Sequence, residues 1–198
     1  KYCGLDKIYE FEILYGFQTD TYDILGLIKN HNNIDIEKLS NNVLNIKKYE
    51  GNYEQEYPAY SSMIVNKQPL WWWAKNGKMD EITIPKKSIN IYNIEYIKDI
   101  NVSDNKELLE LIENRILKLS PKNISNFRGE LILENWRNIL DKNKFKPIIK
   151  RFRAKVSSGT YIRSLVNRIG EDIGCFGIAF DINRTKIIFS NNLNPDKI

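Results

Sequence analysis

From Lys7 to Tyr15 every second side chain is large and apolar. Tyr9, Phe11, Ile13 and Tyr15 fall on one side, Glu10 and Glu12 on the other. A period of two with one oily and one charged face predicts a half-buried β-strand, because successive side chains of a strand point to opposite faces of its sheet. The pattern returns at Ile148 to Val156, where Phe152, Ala154 and Val156 alternate with Arg151, Arg153 and Lys155. Three cations are therefore expected on the solvent face of a second strand. Ile82 to Ile84 and Ile89 to Tyr96 are rich in β-branched and aromatic residues and predict two more strands, separated by Pro85, Lys86 and Lys87.

Between these segments the period becomes helical. Ile36, Leu39, Val43 and Ile46 predict a helix over about 34–47. Asp104 followed three positions later by Glu107 has the form of a capping box, with Leu108, Ile112, Ile116 and Leu119 as one stripe behind it and Ser120-Pro121 as the stop. A further helix over 129–142 carries Ile132, Trp136 and Ile139 on one face, so the interval 102–146 reads as a helical insertion between strands. Ser157 to Thr160 leads into a helix whose buried row is Tyr161 or Ile162, then Leu165, Ile169 and Ile173, closed by Gly174. Gln55 to Ser62, with Pro58 inside, is extended or turning. The fold class expected is α+β, a mixed and mainly antiparallel sheet flanked by helices, in one domain over 1–198.

A chain of 198 residues, 42% apolar and 12% aromatic, can bury a core of that kind. Its longest solid apolar stretches, such as Leu70 to Ala74, fall far short of the ~20 residues a membrane helix needs, so a soluble protein without a membrane partner is expected. The net charge of +5 weakly favours a polyanionic partner. Two cysteines, Cys3 and Cys175, and one histidine, His31, offer neither metal-ligand spacing nor a disulfide framework, which points away from a zinc site and a Ser-His-Asp triad and towards a reducing intracellular compartment. His31, between Asn30 and Asn32, reads as an exposed loop residue. The chain opens at Lys1 without Met and without the plan of a signal peptide, and a preceding segment is expected.

Three stretches could carry chemistry. Gly16 to Asp23 places two carboxylates and two hydroxyls just after a strand, where spacing alone favours a turn whose polar side chains satisfy local backbone. Ser157-Ser158-Gly159-Thr160-Tyr161-Ile162-Arg163 runs from a basic strand through small residues to a helix N-terminus, whose free N–H groups suit an anion. There Arg163 could make a forked pair with a carboxylate, or serve as an ordinary surface residue. In Leu70-Trp71-Trp72-Trp73-Ala74-Lys75 consecutive indoles point in different directions, so at least one is expected in the core.

Taken together these segments resemble the TruB-type family of tRNA pseudouridine synthases, which isomerise the T-loop uridine at tRNA position 55. Lys7-Ile8-Tyr9 through Gly16, Thr19-Asp20-Thr21-Tyr22-Asp23 and Gly26 is similar to the family's aromatic strand and Thr-Asp-Thr-x-Asp-x-x-Gly turn. Gln55 to Ser62 is similar to its Gln-x-Pro-Pro-x-Tyr-Ser-Ala stretch, and Pro69 to Gly77 to its Leu-Tyr-x-x-Ala-Arg-x-Gly run. The most specific piece is Ser158-Gly159-Thr160-Tyr161-Ile162-Arg163-Ser164-Leu165, followed by Ile169-Gly170 and Arg184-Thr185. The insertion, with Phe127-Arg128-Gly129 and Trp136, looks more like eukaryotic or large-DNA-virus versions than short bacterial ones.

The resemblance implies roles. Tyr9 stacks on the flipped uracil and lies close enough for proton transfer. Asp23 and Arg163 form a carboxylate–guanidinium pair that also holds a nucleophilic aspartate, and Tyr161 packs in the floor of the site. Thr160 and Tyr60, from the matching motifs, and the basic Arg151 and Arg153 complete the substrate-binding candidates. The implied partner is the T-stem-loop of tRNA, the protein acting as a monomer without a cofactor. A uridine inside a folded loop is out of reach until it leaves the stack, and a ring face offsets part of the unstacking cost.

The sequence departs from the family in its nucleophile. That aspartate belongs to a Gly-x-Leu-Asp-Pro-x-Ala-x-Gly motif well upstream of the Thr-Asp-Thr turn. Gly4-Leu5-Asp6-Lys7 imitates only its first half, in the position of a variable polar residue. The expectation is thus a partial catalytic domain, without the nucleophile, the first strands or a C-terminal RNA-binding domain, and inactive by itself. Met63 stands where Lys is common, and Lys67-Gln68 where Gly-Lys is common. The alternative is a catalytically silent RNA-binding protein that helps tRNA fold.

Overall fold

The computed structural model describes residues 4–119 and 128–189. Cys3, the Ser120-Pro121 helix stop, Phe127 and the side chain of Leu119 lie outside the described residues. In chain order the elements are β1 (Asp6–Tyr15), β2 (Phe17–Thr19), β3 (Ile28–His31), α1 (Ile36–Leu44), β4 (Gly51–Glu56), β5 (Ile64–Val65), β6 (Gln68–Pro69) and α2 (Leu70–Lys75). Then come β7 (Lys86–Ile100), α3 (Asn105–Leu119), α4 (Gly129–Lys142), β8 (Ile149–Val156), α5 (Ile162–Ile173) and β9 (Gly177–Ile188).

The two alternating segments of the sequence lie side by side. β1 and β8 pair antiparallel, with Tyr9 opposite Ala154, Glu10 opposite Arg153, Phe11 opposite Phe152 and Glu12 opposite Arg151. Around them the sheet runs β4-β7-β8-β1-β9, antiparallel throughout. Among the described residues an isolated bridge between Asp23 and Ala179 is parallel.

Because the period is two, the sheet has two distinct faces. One carries Phe11, Ile13, Tyr15, Phe152, Ala154 and Val156, covered by the apolar row Ile162, Leu165, Val166, Ile169 and Ile173 of α5 and by Leu39 of α1. α5 ends at Gly174 in the left-handed conformation (φ 78°), which glycine adopts without a Cβ penalty. Gly170 lets α5 descend onto β9, since a Cβ there would enter the backbone of Phe176 and Gly177, 2.7 Å from Gly177 Cα.

The other face is covered at one end by α3 and α4. Leu108, Ile112 and Ile116 meet Ile132, Leu133, Trp136 and Leu140 over Leu14, Ile149, Ile178 and Phe180. α3 starts as its sequence predicts: Asp104 Oδ1 accepts the N–H groups of Lys106 and Glu107, and Glu107 reaches back to the N–H of Ser103. Trp136 is fully buried and its Nε1–H donates to Ile24 O at 3.2 Å, while Asn135 Oδ1 accepts Ile28 N–H at 2.8 Å. The helical pair is thereby tied to the segment that follows β2.

Several expectations are corrected. Ile82 to Ile84 is not a strand. β4 pairs with β7 only as far as Glu56 opposite Lys86, and Tyr57 N–H then bonds Pro85 O as the chain turns away, so no neighbour remains for those residues. The helix expected over 34–47 stops at Leu44 and continues after Asn45 as a 3₁₀ turn, Ile46–Tyr49, leaving Ile36 56% exposed. In the tryptophan run the core residue is Leu70; Trp71 is 45% exposed, and Trp72 and Trp73 are half-buried, edge to face at 5.1 Å. A helix of six residues can bury one face only, and Leu70 occupies it. His31 is exposed, as expected, but ends β3, edge-on to the ring of Phe145. Among the described residues no helix is long and apolar enough to cross a membrane.

Candidate active site

Thr19 to Asp23 forms a tight turn in which side chains do the work of a ladder. Thr19 Oγ1–H donates to Asp23 O at 2.7 Å, and Asp23 Oδ1 accepts from Thr21 Oγ1 at 2.6 Å and Leu25 N–H at 3.0 Å. The expectation of a locally satisfied turn holds for that oxygen. The turn is also stitched to β9, with Ile24 N–H on Ala179 O and Ala179 N–H on Tyr22 O. Gly26 is required here, because a Cβ would meet Thr21 Oγ1 and lie 2.6 Å from Asp20 Oδ1.

The second oxygen of Asp23 faces Arg163 from the first turn of α5. Arg163 Nη1 donates to Asp23 Oδ2 at 3.1 Å and to Thr21 O at 3.0 Å, and Nη2 donates to Tyr60 O at 3.2 Å. Burial pushes the Asp23 carboxyl above its ordinary range; Arg163, Thr21 and the Leu25 N–H pull it back without cancelling the effect.

Arg163 is positioned by what precedes it. Thr160, nearly buried, turns its hydroxyl back to Ser157 O at 2.9 Å and does not cap α5. Gln55 instead accepts Tyr161 N–H at 2.8 Å and donates to Tyr161 O at 3.1 Å, fixing both backbone groups at the mouth of the helix. The ring of Tyr161 stands edge-on to Tyr57 at 5.5 Å.

Tyr60 links this group to a second one. Its hydroxyl lies 3.3 Å from Asp20 Oδ2, and the guanidinium of Arg128 sits 4.8 Å from its ring centroid. Arg128, in the left-handed region at the head of α4, donates to Asp20 Oδ2 at 2.8 Å and Oδ1 at 3.4 Å, and Asp20 Oδ1 also accepts Leu27 N–H at 2.9 Å. Burial, then the neighbouring Asp20, raise the Tyr60 phenol despite Arg128.

Tyr9 packs against the same core cluster as Ile162 and Leu165 of α5, so it shares a side of the sheet with the helix that carries Arg163. It pairs across β9 with Arg184; burial raises its phenol and Arg184 lowers it in part, leaving the hydroxyl protonated at neutral pH. Arg151 and Arg153 are not brought to this group. Period two puts them on the opposite face, where Arg151 holds Glu12 at 2.6 Å and Arg153 holds Glu10 at 2.7 Å and Glu95 at 3.2 Å. Glu12, 3% exposed, also takes Arg115 of α3, so these cations neutralise buried and half-buried carboxylates.

Sequence reading missed two residues. Gln55, a nearly buried amide in an otherwise half-exposed strand, carries a signal in being a polar residue at an inward position just ahead of a proline turn. Arg128 carries none, since its partner Asp20 lies 108 positions away. Among the described residues no three His, Cys, Asp or Glu side chains gather as a metal site.

α5, which carries Arg163 paired to Asp23, and the core-packed Tyr9 share one side of the antiparallel sheet. Residues 2–110 match the model of the TruB family pseudouridylate synthase (N terminal domain). The chain belongs to that family. Similar proteins are tRNA pseudouridine synthase B of Fusobacterium nucleatum subsp. nucleatum, 28% identical over 92% of this chain and 46% of its own, and that of Francisella tularensis subsp. holarctica, 31% identical over 91% and 44%. tRNA pseudouridine synthase 4 of Saccharomyces cerevisiae is 24% identical over 86% of this chain and 49% of its own. The chain spans about half the length of these curated relatives. Among solved structures, a chain of a Cbf5-Nop10-Gar1 complex matches 93% of this chain and 31% of itself at 16% identity and TM-score 0.42, a likeness too slight to carry an argument.

Proposed function

We propose that this chain is the uridine-holding part of a tRNA pseudouridine synthase acting on the T loop. The observation that carries the reading is the three-way grip of Arg163 on Asp23 Oδ2, Thr21 O and Tyr60 O, on the side of the sheet that also presents Tyr9. A guanidinium has five N–H donors, so two remain for a further carboxylate. In the proposed reaction that carboxylate is the family's nucleophilic aspartate, from a motif ahead of Tyr9 in family order.

The extruded uracil stacks on Tyr9 with Tyr161 below it, which offsets part of the unstacking cost. Cleavage of the N1–C1′ bond with help from the aspartate frees the base, rotation brings C5 to C1′, and the new C5–C1′ bond releases the C5 proton while N1 gains one. The reaction is an isomerisation and consumes no co-reactant. Burial raises the Tyr9 phenol, so its hydroxyl rests protonated and meets the base as a donor. Asp23 orients Arg163 and does not touch the sugar. Thr160 and Tyr60 act by holding the walls; Arg151 and Arg153, committed to glutamates, take no part in this pocket. Residues 102–146 form the proposed insertion, and the protein acts as a monomer in a reducing compartment.

Conversion of T-loop uridine and tRNA affinity, measured in parallel on the natural gene product, test the reading. Arg163→Lys is expected to lower turnover by at least roughly a hundredfold with tRNA affinity retained, because a point charge cannot serve three acceptors in a plane. Binding without conversion in the unmutated protein would favour the silent RNA-binding alternative, and no tRNA binding would overturn both.

A further inference from the structure

Two arginines from different helices grip the turn after β2, and both reach Tyr60. Arg163, in the first turn of α5, holds Asp23 Oδ2 and donates from Nη2 to Tyr60 O at 3.2 Å. Arg128, at the head of α4, donates a fork to Asp20, 2.8 Å to Oδ2 and 3.4 Å to Oδ1, with its guanidinium 4.8 Å from the Tyr60 ring centroid. The Tyr60 hydroxyl, 3.3 Å from Asp20 Oδ2, closes this second grip. We propose that Arg128 is a positioning residue for the isomerisation: by fixing Tyr60 against Asp20 it sets the carbonyl on which Arg163 is aimed, so that the insertion between β7 and β8 takes part in the reaction pocket. The inference rests on the conversion of T-loop uridine proposed above.

Tyr60 belongs to neither a strand nor a helix, so no ladder holds its carbonyl. Its turn is tied down at Tyr57, whose N–H bonds Pro85 O, and at Ser61, whose O accepts Trp71 N–H at 3.2 Å. At Tyr60 itself the ring and hydroxyl are held by Arg128 and Asp20. Loosening that hold lets the turn shift, and with it one of the three acceptors that orient the Arg163 guanidinium. The N–H groups that remain for the nucleophilic carboxylate turn with the guanidinium plane, and a displacement of about 1 Å at a reacting centre costs rate out of proportion to its size.

Arg128 is itself firmly placed. Its side chain is 23% exposed, and its backbone takes φ 60°, a region that residues with a Cβ enter at a cost and keep only where their surroundings over-determine them. Those surroundings are both Asp20 oxygens, the Tyr60 ring, and two further ties of α4 to the same stretch of chain, Trp136 Nε1–H on Ile24 O and Asn135 Oδ1 on Ile28 N–H. A planar fork can serve two carboxylate oxygens while lying against a ring, which an ammonium cannot. Asp20 and Asp23, three positions apart, thus hand one turn to two helices, and Tyr60 joins the two grips.

The test is the single-turnover rate of uridine conversion in a T-stem-loop RNA oligonucleotide, with the natural gene product in saturating excess so that neither affinity nor the folded fraction enters. Arg128→Lys keeps the charge and loses the fork; it is expected to lower that rate by about tenfold or more while RNA affinity, titrated separately, stays within about twofold. In an Arg163→Lys background, where the aimed guanidinium is gone, the same substitution is expected to cost less than about twofold, because two residues acting through one group are not additive. Arg137→Ala, which removes the exposed Arg137–Glu113 pair between α4 and α3, is the control and is expected to convert within about twofold of the unmutated rate. Should Arg128→Lys fail to fold, Asp20→Asn loosens the same fork from the carboxylate side and carries the same comparison. An unmutated rate in Arg128→Lys, a loss confined to affinity, an equal factor in both backgrounds, or an equal loss in the control overturns the inference while leaving the tRNA reading intact. An unmutated protein that converts no T-loop uridine sinks that reading and the inference with it.

Discussion

Arg163 Nη1 lies 3.1 Å from Asp23 Oδ2, although 140 positions separate the two residues. The pair sits where burial pushes the Asp23 carboxyl above its ordinary value, so the folded state binds a proton more readily than the unfolded chain. The contribution of such a group to stability is full at low pH and lost as pH rises through the raised value. Asparagine at this position cannot titrate. The stability of Asp23→Asn relative to the unmutated chain is therefore expected to improve as pH climbs from about 4 through the raised value and then level off, read from urea midpoints at several pH values. A difference independent of pH would show that Asp23 ionises as an ordinary carboxylate.

Tyr9 offers a ring and a hydroxyl that can be separated. If stacking on the extruded base is the ring's work, Tyr9→Ala should weaken binding of a T-stem-loop by about 1–3 kcal/mol. Tyr9→Phe should bind within about twofold of the unmutated protein and lose conversion. Equal effects of the two substitutions on affinity would place the contribution in the hydroxyl that Arg184 faces.

The amide of Gln55 satisfies both the N–H and the C=O of Tyr161. Leucine has about the same bulk and neither polar group, leaving the N–H of Tyr161 at the helix mouth without its partner and the C=O with the Leu165 N–H alone. Denaturation of Gln55→Leu is expected to show a loss of about 1–3 kcal/mol, where Gln55→Glu, which keeps the acceptor for the N–H, loses less.

At Gly170 the obstacle is backbone. A Cβ there would run into backbone atoms of Phe176 and Gly177, the latter paired to Tyr15 of β1, and backbone cannot swing aside as the end of a flexible side chain would. Gly170→Ala should lower stability by about 1–3 kcal/mol or more despite the better helix propensity of alanine, seen as a drop in Tm. A more stable variant would mean that α5 is free to lift from β9.

Much of the fold is legible from short windows of sequence. The period-two runs became β1 and β8, the Asp104–Glu107 cap opened α3, and Gly174 closed α5, because each is decided by residues within a few positions of one another. Ile82 to Ile84 shows the opposite case: the residues suit a strand, but a strand needs a neighbour, and β4 had already turned away. The candidate site divides in the same way. The turn chemistry of Asp23 Oδ1 is local and readable; that Arg163 could meet a carboxylate is readable from its place at a helix entrance, but only the family resemblance pointed to Asp23 as the partner; Arg128 on Asp20 was not foreshadowed at all.

The sequence by itself determined which segments alternate, which coil, and which side chains each element turns inward, since backbone period and side-chain direction are set by near neighbours. Tertiary structure alone decided that Arg151 and Arg153 would neutralise Glu12 and Glu10, while Arg163 from α5 met Asp23 and Arg128 from the head of α4 met Asp20. Which carboxylate a guanidinium finds depends on the order of strands in the sheet and on where α4 and α5 land, and chain separations above a hundred positions leave no local trace of either.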